Sequence, residues 1–269
     1  MNYRHAFHAG NFADLIKHAA LVLLLDALPH PRWVADTHAG EGVYDLSGPD
    51  AMRSGEAVAA TLIGGDLPTG LALLRAAVEK LNAGSSVRSY PGSPRLIADR
   101  QTKADQLLLI ELAPKACAAL RRNLAGVANT QIVQDDGFEA VIRGCPVRGT
   151  ALVIIDPPFE QPDDYARAAD VLGKIAGRNR DATVMVWLPL KDLETFDRFL
   201  RSLEGIYRGP MRVVEVRLRP LTDPMKMNGC ALVLIGVPEP VMLPLQSTAE
   251  WVAARFGSPG EARVWSLGG

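Results

Sequence analysis

The sequence predicts an α/β fold with a doubly wound, mostly parallel sheet of about seven strands. Short apolar runs that end in polar residues or glycines recur along the chain, and segments with helical spacing separate most of them. This alternation is typical of parallel sheets that carry helices on both faces. The clearest run, residues 151–155 (Ala-Leu-Val-Ile-Ile), has no polar side chain, as expected for a strand buried on both faces.

The individual elements follow from the same periodicity. The first helix is expected at Asp14–Leu28, with Asp14 as its candidate cap, and Pro29 and Pro31 end it. The predicted strands are residues 32–36, 106–112, 130–135, 150–156, 183–188, 212–218 and 231–237. The later helices are predicted at residues 114–124, 163–175 and 191–203, with a short one after residue 138. The last two strands are expected to be antiparallel, at one edge of the sheet.

The segment from Leu46 to Pro94 differs from its surroundings. The strand signal fades there, glycine, alanine and leucine dominate, and a helical pattern lies near Gly70–Leu81. We therefore expect a small helical subdomain at residues 46–94. It would be inserted into a main domain that comprises residues 1–45 and 95–269.

Composition narrows the functional classes. Hydrophobic residues make up 48% of the 269 residues, and the net charge of −1 gives no global basic excess, so a nucleic-acid surface would have to be a local patch. Three widely spaced cysteines suit neither a disulfide framework nor a metal site. The amino terminus lacks a signal-peptide pattern, and residues 19–28 are too short to span a bilayer. A cytoplasmic protein is the expectation.

The strongest functional motif follows the apolar run. Asp156, Pro157, Pro158 and Phe159 come directly after it, and the prolines must end the strand because they cannot donate to its ladder. Asp156 is thereby placed at the carboxyl end, where open α/β sheets bind ligands. A fixed carboxylate next to an aromatic ring can hold a planar base that bears an amine. The alternative is a simple Asp-Pro turn.

Three weaker signals end other strands. Gly40 and Gly42 form a turn in which the backbone can approach a ligand, although the third glycine of the dinucleotide fingerprint is missing. Glu111 is placed to accept the hydroxyls of a ribose, with a solvated strand end as the alternative. Asp136 is placed to accept an adenine amino group, with Asp135 as a neighbouring candidate and a helix cap as the alternative.

The order of these motifs resembles that of class I S-adenosylmethionine-dependent methyltransferases, a Rossmann-like fold. Residues 3–14 (Tyr-Arg-His-Ala-Phe-His-Ala-Gly-Asn-Phe-Ala-Asp) with Lys17-His18 further resemble the amino terminus of RlmJ-type enzymes. Residues 36–40, 90–94, 136–138 and 156–159 also match that family, so the resemblance runs nearly end to end. One departure is Phe159, where the family more often has tyrosine.

The resemblance implies an activity and a set of roles. RlmJ-type enzymes methylate N6 of an adenine in 23S ribosomal RNA, with S-adenosylmethionine as cofactor. Asp156 would be catalytic, with the carbonyl of Pro157 as a second acceptor and Phe159 stacking on the base. Tyr3 would touch the RNA, and Arg4 is a candidate for RNA contact. The cofactor site would be lined by Lys17, His18, His38, Gly40, Ser93, Glu111, Asp136 and Gly137. We expect a monomer that needs neither metal nor membrane.

Other interpretations remain open from the sequence. The tetrad does not separate RNA from DNA, so a DNA adenine-N6 methyltransferase is the nearest alternative. A NAD-dependent oxidoreductase and a catalytically silent nucleic-acid-binding protein are less favoured. His5 and His8 have a spacing that suits a metal on a helix, but no cysteine joins them. Arginines and lysines near the crevice are candidates for RNA contact, among them Arg53, Arg88, Arg95 and Lys226.

Overall fold

The computed structural model describes residues 10–46, 62, 65–83 and 87–268. Within these residues, eight strands form one sheet in the order β10-β8-β9-β7-β6-β1-β4-β5, and β2 and β3 form a separate antiparallel pair. The strands are β1 (Trp33–Asp36), β2 (Val43–Asp45), β3 (Ser89–Pro91), β4 (Gln106–Ile110), β5 (Thr130–Val133), β6 (Ala151–Ile155), β7 (Ala182–Leu190), β8 (Met211–Arg217), β9 (Gly229–Ile235) and β10 (Glu261–Leu267).

Helices cover both faces of this sheet. They are α1 (Phe12–Ala27), α2 (Thr69–Leu81), α3 (Ser93–Ala98), α4 (Pro114–Asn123), α5 (Gly137–Gly144), α6 (Asp164–Arg178), α7 (Leu193–Ile206) and α8 (Met242–Phe256). Apolar residues of α1, α2, α3, α4 and α8 share one buried cluster, and those of α5, α6 and α7 share a second. The predicted doubly wound α/β fold is therefore confirmed. No helix in the described part of the chain is long and apolar enough to cross a membrane.

Strand direction determines where a site can form. Strands β5, β4, β1, β6 and β7 are mutually parallel, so their carboxyl ends lie along one edge of the sheet. Strand β9 is antiparallel to both of its neighbours, β7 and β8, which makes β8 parallel to β7. The edge that carries Asp156 thus continues to the end of β8. We call it the carboxyl edge.

Each of the seven predicted strands is present, but the far end of the sheet differs from the expectation. The antiparallel strand β9 lies inside the sheet, between β7 and β8, and the edge position belongs to β10, which the sequence pattern missed. The exposed face of β10 carries polar residues, so its apolar signal is weak. Helix α8 was missed as well.

Helix α1 begins earlier than predicted, and its cap is different. Asn11 is the N-cap, and its side-chain oxygen accepts hydrogen bonds from the backbone N–H groups of Ala13 and Asp14. Asp14 instead lies within the first turn, where its carboxylate accepts from the N–H of Gly10. Nearly all of α1 is buried between the sheet and helices α2 and α8, so its polar side chains are held in fixed positions.

The described part of the predicted subdomain contains helix α2 and strand β3. Helix α2 packs against α1 and α8, and its buried residues include Leu71 and Leu74. Much of residues 46–94 lies outside the described residues, and the division into two domains stays a prediction. The amino-terminal residues Tyr3, Arg4, His5 and His8 and the basic residue Arg53 also lie outside them.

Candidate active site

The Asp156–Phe159 tetrad leaves strand β6 at the carboxyl edge. All five residues of β6 are buried, and the strand ends at Ile155, directly before Asp156 and the two prolines. The Asp156 side chain is 17% exposed, so it is mostly buried but still accessible to a ligand. This is the position that the sequence predicted for the candidate catalytic carboxylate.

A buried lysine from α1 holds this carboxylate. Lys17 Nζ lies 2.6 Å from Asp156 Oδ2 and 2.8 Å from Asp14 Oδ1, and its side chain is 5% exposed. Burial alone would lower the pKa of Lys17, but the two carboxylates outweigh it and raise the pKa well above its usual value. Lys17 is therefore a cation at neutral pH. The three residues Asp14, Lys17 and Asp156, called the acidic triad below, carry two negative charges around one positive charge.

Asp36 is a fourth charged group beside the triad, at the end of the neighbouring strand β1. It is fully buried and accepts hydrogen bonds from Ser93 Oγ at 2.6 Å and from the backbone N–H of His38 at 3.1 Å. Burial, opposed by these bonds, raises the pKa of Asp36 to about 6, and the negative charge of Asp156 adds to the rise. Ser93, a predicted cofactor residue, thus contacts Asp36, an acid to which the sequence assigned no role.

The two predicted histidines differ in their surroundings. His38 is half-buried, packs edge-on against Phe138 with ring centroids 5.0 Å apart, and lies 2.7 Å from Thr37 Oγ1 through Nδ1. Burial lowers its pKa to about 4, so His38 is neutral at physiological pH. His18 is almost fully buried, and its Nδ1 lies 2.9 Å from the hydroxyl of Tyr90. Its role in the cofactor site stays a prediction.

The glycine turn after β1 is hydrogen-bonded to Glu111, the residue that follows β4. The N–H of Gly40 donates to Glu111 Oε2, and that of Ala113 donates to Oε1, each at 2.8 Å. Each carboxylate oxygen keeps a lone pair, so Glu111 can still accept hydroxyl groups. Gly40 has a φ of +62°, and a Cβ there would approach the Tyr44 hydroxyl to 2.1 Å. This turn therefore requires glycine.

Asp136 is more heavily engaged than the sequence suggested. It caps α5 by accepting from the N–H groups of Phe138 and Glu139, and it pairs with Arg167 at 2.7 Å. Burial would raise the pKa of Asp136, but the hydrogen bond from Arg167 and the cap outweigh it and lower the pKa. The helix-cap alternative is thus present, and the adenine contact stays a prediction. A Cβ on Gly137 would lie 1.8 Å from the carbonyl oxygen of Thr37.

Phe159 is turned inward in this structure. Its side chain is 8% exposed, and its ring centroid lies 4.5 Å from that of Tyr165 and 6.0 Å from that of Trp187. Its φ of +51° lies in the left-handed region, which disfavours a bulky side chain. Stacking of Phe159 on a bound base, which remains a prediction, therefore requires the ring to move or to present its exposed rim.

The structure brings four of the predicted features to neighbouring strand ends. The ends of β6, β1, β4 and β5 are consecutive in the sheet, and they carry Asp156, the glycine turn, Glu111 and Asp136 in that order. Asp14, Asp36 and Arg167 are the charged residues that sequence reasoning missed; Asp36 had a signal, as the last residue of a predicted strand. No cluster of three or more metal-ligating side chains occurs among the described residues.

Comparison with known proteins decides the family. The family model described as "Ribosomal RNA large subunit methyltransferase D, RlmJ" matches residues 30–267. The chain belongs to this family. Ribosomal RNA large subunit methyltransferase J of Haemophilus influenzae is 32% identical over 246 residues, which cover 88% of each chain. The Escherichia coli protein of the same name is 30% identical over 269 residues, which cover 97% of this chain and 95% of that protein.

A solved structure shows the same fold over nearly the whole chain. Protein LPL1258 from Legionella pneumophila superimposes with a TM-score of 0.83 at 27% sequence identity. The match covers 97% of this chain and 98% of that one. The RlmJ-type resemblance read from the motifs is confirmed.

Proposed function

We propose that the protein transfers a methyl group from S-adenosylmethionine to the N6 amino group of an adenine in 23S ribosomal RNA. The observation that carries this proposal is the Asp156–Phe159 tetrad at the end of β6, with its carboxylate held by the buried Lys17. Two relatives that match over most of the chain bear the name ribosomal RNA large subunit methyltransferase. Their name favours ribosomal RNA over the DNA alternative.

The residues at the carboxyl edge fit S-adenosylmethionine as cofactor. Glu111 offers carboxylate lone pairs to ribose hydroxyls, and the turn at Gly40 leaves room for close approach. The buried carboxylates of Asp36 and the acidic triad carry net negative charge beside this turn, which complements a sulfonium and an ammonium group. When bound, the cofactor supplies an electrophilic methyl group. The turn after β1 lacks the third glycine of the dinucleotide-binding fingerprint, which argues against NAD as the cofactor.

Asp156 can still accept hydrogen bonds from the substrate. Lys17 donates to its Oδ2, so Oδ1 is the less engaged oxygen and the one that we assign to an N–H of the adenine amino group. The backbone carbonyl oxygen of Pro157 can accept a hydrogen bond from the second N–H of the amino group. Two acceptors orient the amino nitrogen, whose lone pair is otherwise delocalised into the ring. Orientation of this kind contributes much of the rate when the electrophile is already strong.

The target adenine must leave its stack to reach this position. Base stacking on an aromatic ring contributes about 1–3 kcal/mol, which is the role proposed for Phe159. Contacts of Tyr3 and Arg4 with RNA are further proposals, as are a monomeric state and a cytoplasmic location. An inserted subdomain at residues 46–94 is likewise a proposal about the architecture.

Tritiated S-adenosylmethionine tests the reaction directly. The protein is incubated with an unmodified 23S ribosomal RNA transcript and, in parallel, with duplex DNA, and the nucleosides are separated after digestion. We expect label in N6-methyladenosine from RNA alone, and none with Asp156→Ala. Label from DNA alone would keep the chemistry and overturn the substrate. Label in neither, despite binding of S-adenosylhomocysteine, would contradict methylation of protein-free RNA.

A further inference from the structure

A cavity opens on the carboxyl edge, at the end of strand β8. It has a volume of about 320 Å³, within the range of small-ligand sites, and its walls include Leu193, Arg217, Arg219, Leu221, Pro259 and Glu261. Strand β8 lies three positions from β6 and runs in the same direction. At the usual spacing between strands, the end of β8 is about 14 Å from the end of β6 along the carboxyl edge.

One arginine of the cavity is rigidly oriented. Arg217 donates from Nε to Glu215 Oε2 at 2.9 Å, and Glu215 is 3% exposed. The other oxygen of Glu215 accepts from Trp265 Nε1 at 2.8 Å, so the carboxylate cannot rotate freely. The guanidinium plane of Arg217 is thereby fixed while 15% of its side chain stays exposed. A fixed guanidinium plane is a surface on which a base can stack.

A second arginine leaves positive charge at the rim. Arg219 is exposed, and no carboxylate of the described residues lies within salt-bridge distance of it. Asp223, in the same loop, lies 3.2 Å from Lys226, and the more distant charge of Arg219 also helps to lower the pKa of Asp223. Glu261, which is the register partner of Arg217 on β10, lies 2.8 Å from Arg263. Arg219 is therefore the cation of this rim that remains available to an external anion.

The remaining walls are mostly apolar, with Thr222 as their polar residue. Leu193 at the start of α7 keeps 54% of its surface exposed, although it is a large hydrophobic residue. Pro259 and Leu221 also line the cavity. A nucleotide presents a flat base and a phosphate. The apolar wall and the fixed guanidinium plane of Arg217 match the base, and the cation at Arg219 matches the phosphate.

We infer that this cavity binds a single-stranded nucleotide of the RNA substrate close to the target adenine, with its base against Leu193 and Arg217 and its phosphate at Arg219. The inference rests on the proposed function, since it concerns the same RNA. It adds an RNA recognition site outside the residues proposed to bind the cofactor and the target adenine. A site of this kind holds the RNA in register while the target base is turned out of its stack.

Binding of the unmodified 23S ribosomal RNA transcript to the full chain, measured by filter binding over a salt series, tests this inference. Arg219→Ala should raise Kd about tenfold and reduce the salt slope by about one, because one phosphate contact is lost. Leu193→Ser should raise Kd about fivefold with an unchanged slope, because the contact is apolar. Arg180→Ala, an exposed arginine that precedes β7 on the opposite edge, serves as the matched control and should change neither quantity.

The outcomes separate this inference from the proposed function. Binding of S-adenosylhomocysteine by all variants, measured by calorimetry, shows that the fold is intact. If wild-type protein methylates the RNA but Arg219→Ala and Leu193→Ser bind it like wild type, the cavity is not an RNA site and the proposed function stands. If wild-type protein binds the RNA without methylating it, the Kd values of the variants still show whether the cavity binds RNA. Absence of any RNA binding overturns both.

Discussion

Asp36 offers a quantitative test of the electrostatics at this site. The side chain is fully buried, and its pKa is raised from 3.8 to about 6. Replacing Asp36 by asparagine removes the ionisation and keeps the shape. The asparagine oxygen can accept from the N–H of His38, and its NH₂ can donate to Ser93, whose hydroxyl is able to reverse its role. The variant therefore isolates the free energy of ionising this one group.

The sign of the effect follows from the direction of the shift. A carboxyl group with a higher pKa in the folded state takes up a proton more readily when folded, so its ionisation favours unfolding. The free energy of unfolding of the wild type should therefore fall as pH rises from about 4 through about 6. A shift of about two units costs about 3 kcal/mol at pH 7.5 and about 1 kcal/mol at pH 4.5.

Urea unfolding of wild type and Asp36→Asn at both pH values measures this cost. The variant should gain about 2 kcal/mol over wild type between pH 4.5 and 7.5, because groups common to both proteins cancel in the difference. Ser93→Ala is the control with the opposite sign. It removes a hydrogen bond that lowers the pKa of Asp36, so the pH dependence should become steeper. A difference between variant and wild type that is the same at both pH values would refute the reasoning.

Three further substitutions test the site. Asp156→Ala should abolish methyl transfer and leave binding of S-adenosylhomocysteine within a few-fold of wild type; substantial turnover of RNA would contradict its catalytic role. Lys17→Met should destabilise the protein by about 3–5 kcal/mol in urea, because two carboxylates lose their buried cation. Gly137→Ala should lower the Tm strongly, since its Cβ would meet the Thr37 carbonyl at 1.8 Å, and an unchanged Tm would show that the backbone can shift.

Local sequence patterns were enough to predict the strand ends, because each is marked by residues close together in the chain. The prolines after Asp156 stop β6, and the glycines after Asp36 turn the chain after β1. Parallel strands then bring these ends to one edge without further information. The meeting of these motifs at one edge was therefore predictable, but their order in the sheet, with β6 beside β1, was not.

Contacts between distant residues were not predictable in this way. Lys17 meets Asp156 across 139 positions, and Ser93 meets Asp36 across 57. Such pairs depend on how α1 and α3 pack on the sheet, which no local periodicity encodes. The resemblance placed Lys17 and Ser93 near the cofactor, but it did not identify the acids that they contact. The inward position of Phe159 also depends on its neighbours, Tyr165 and Trp187.

The acidic triad is better explained by chemistry than by stability. Burying two carboxylates and an ammonium carries a desolvation cost that their mutual attraction often fails to recover, and apolar residues of similar volume would fold at least as well. With Asp36 ionised, the cluster has three negative charges and one positive charge beside the glycine turn. The sulfonium and the ammonium group of S-adenosylmethionine would offset part of this charge, although the cofactor also carries a carboxylate. The unfavourable charge of the cluster is thus a source of affinity for a cation, which explains why these acids are gathered around Asp156, the proposed catalytic carboxylate.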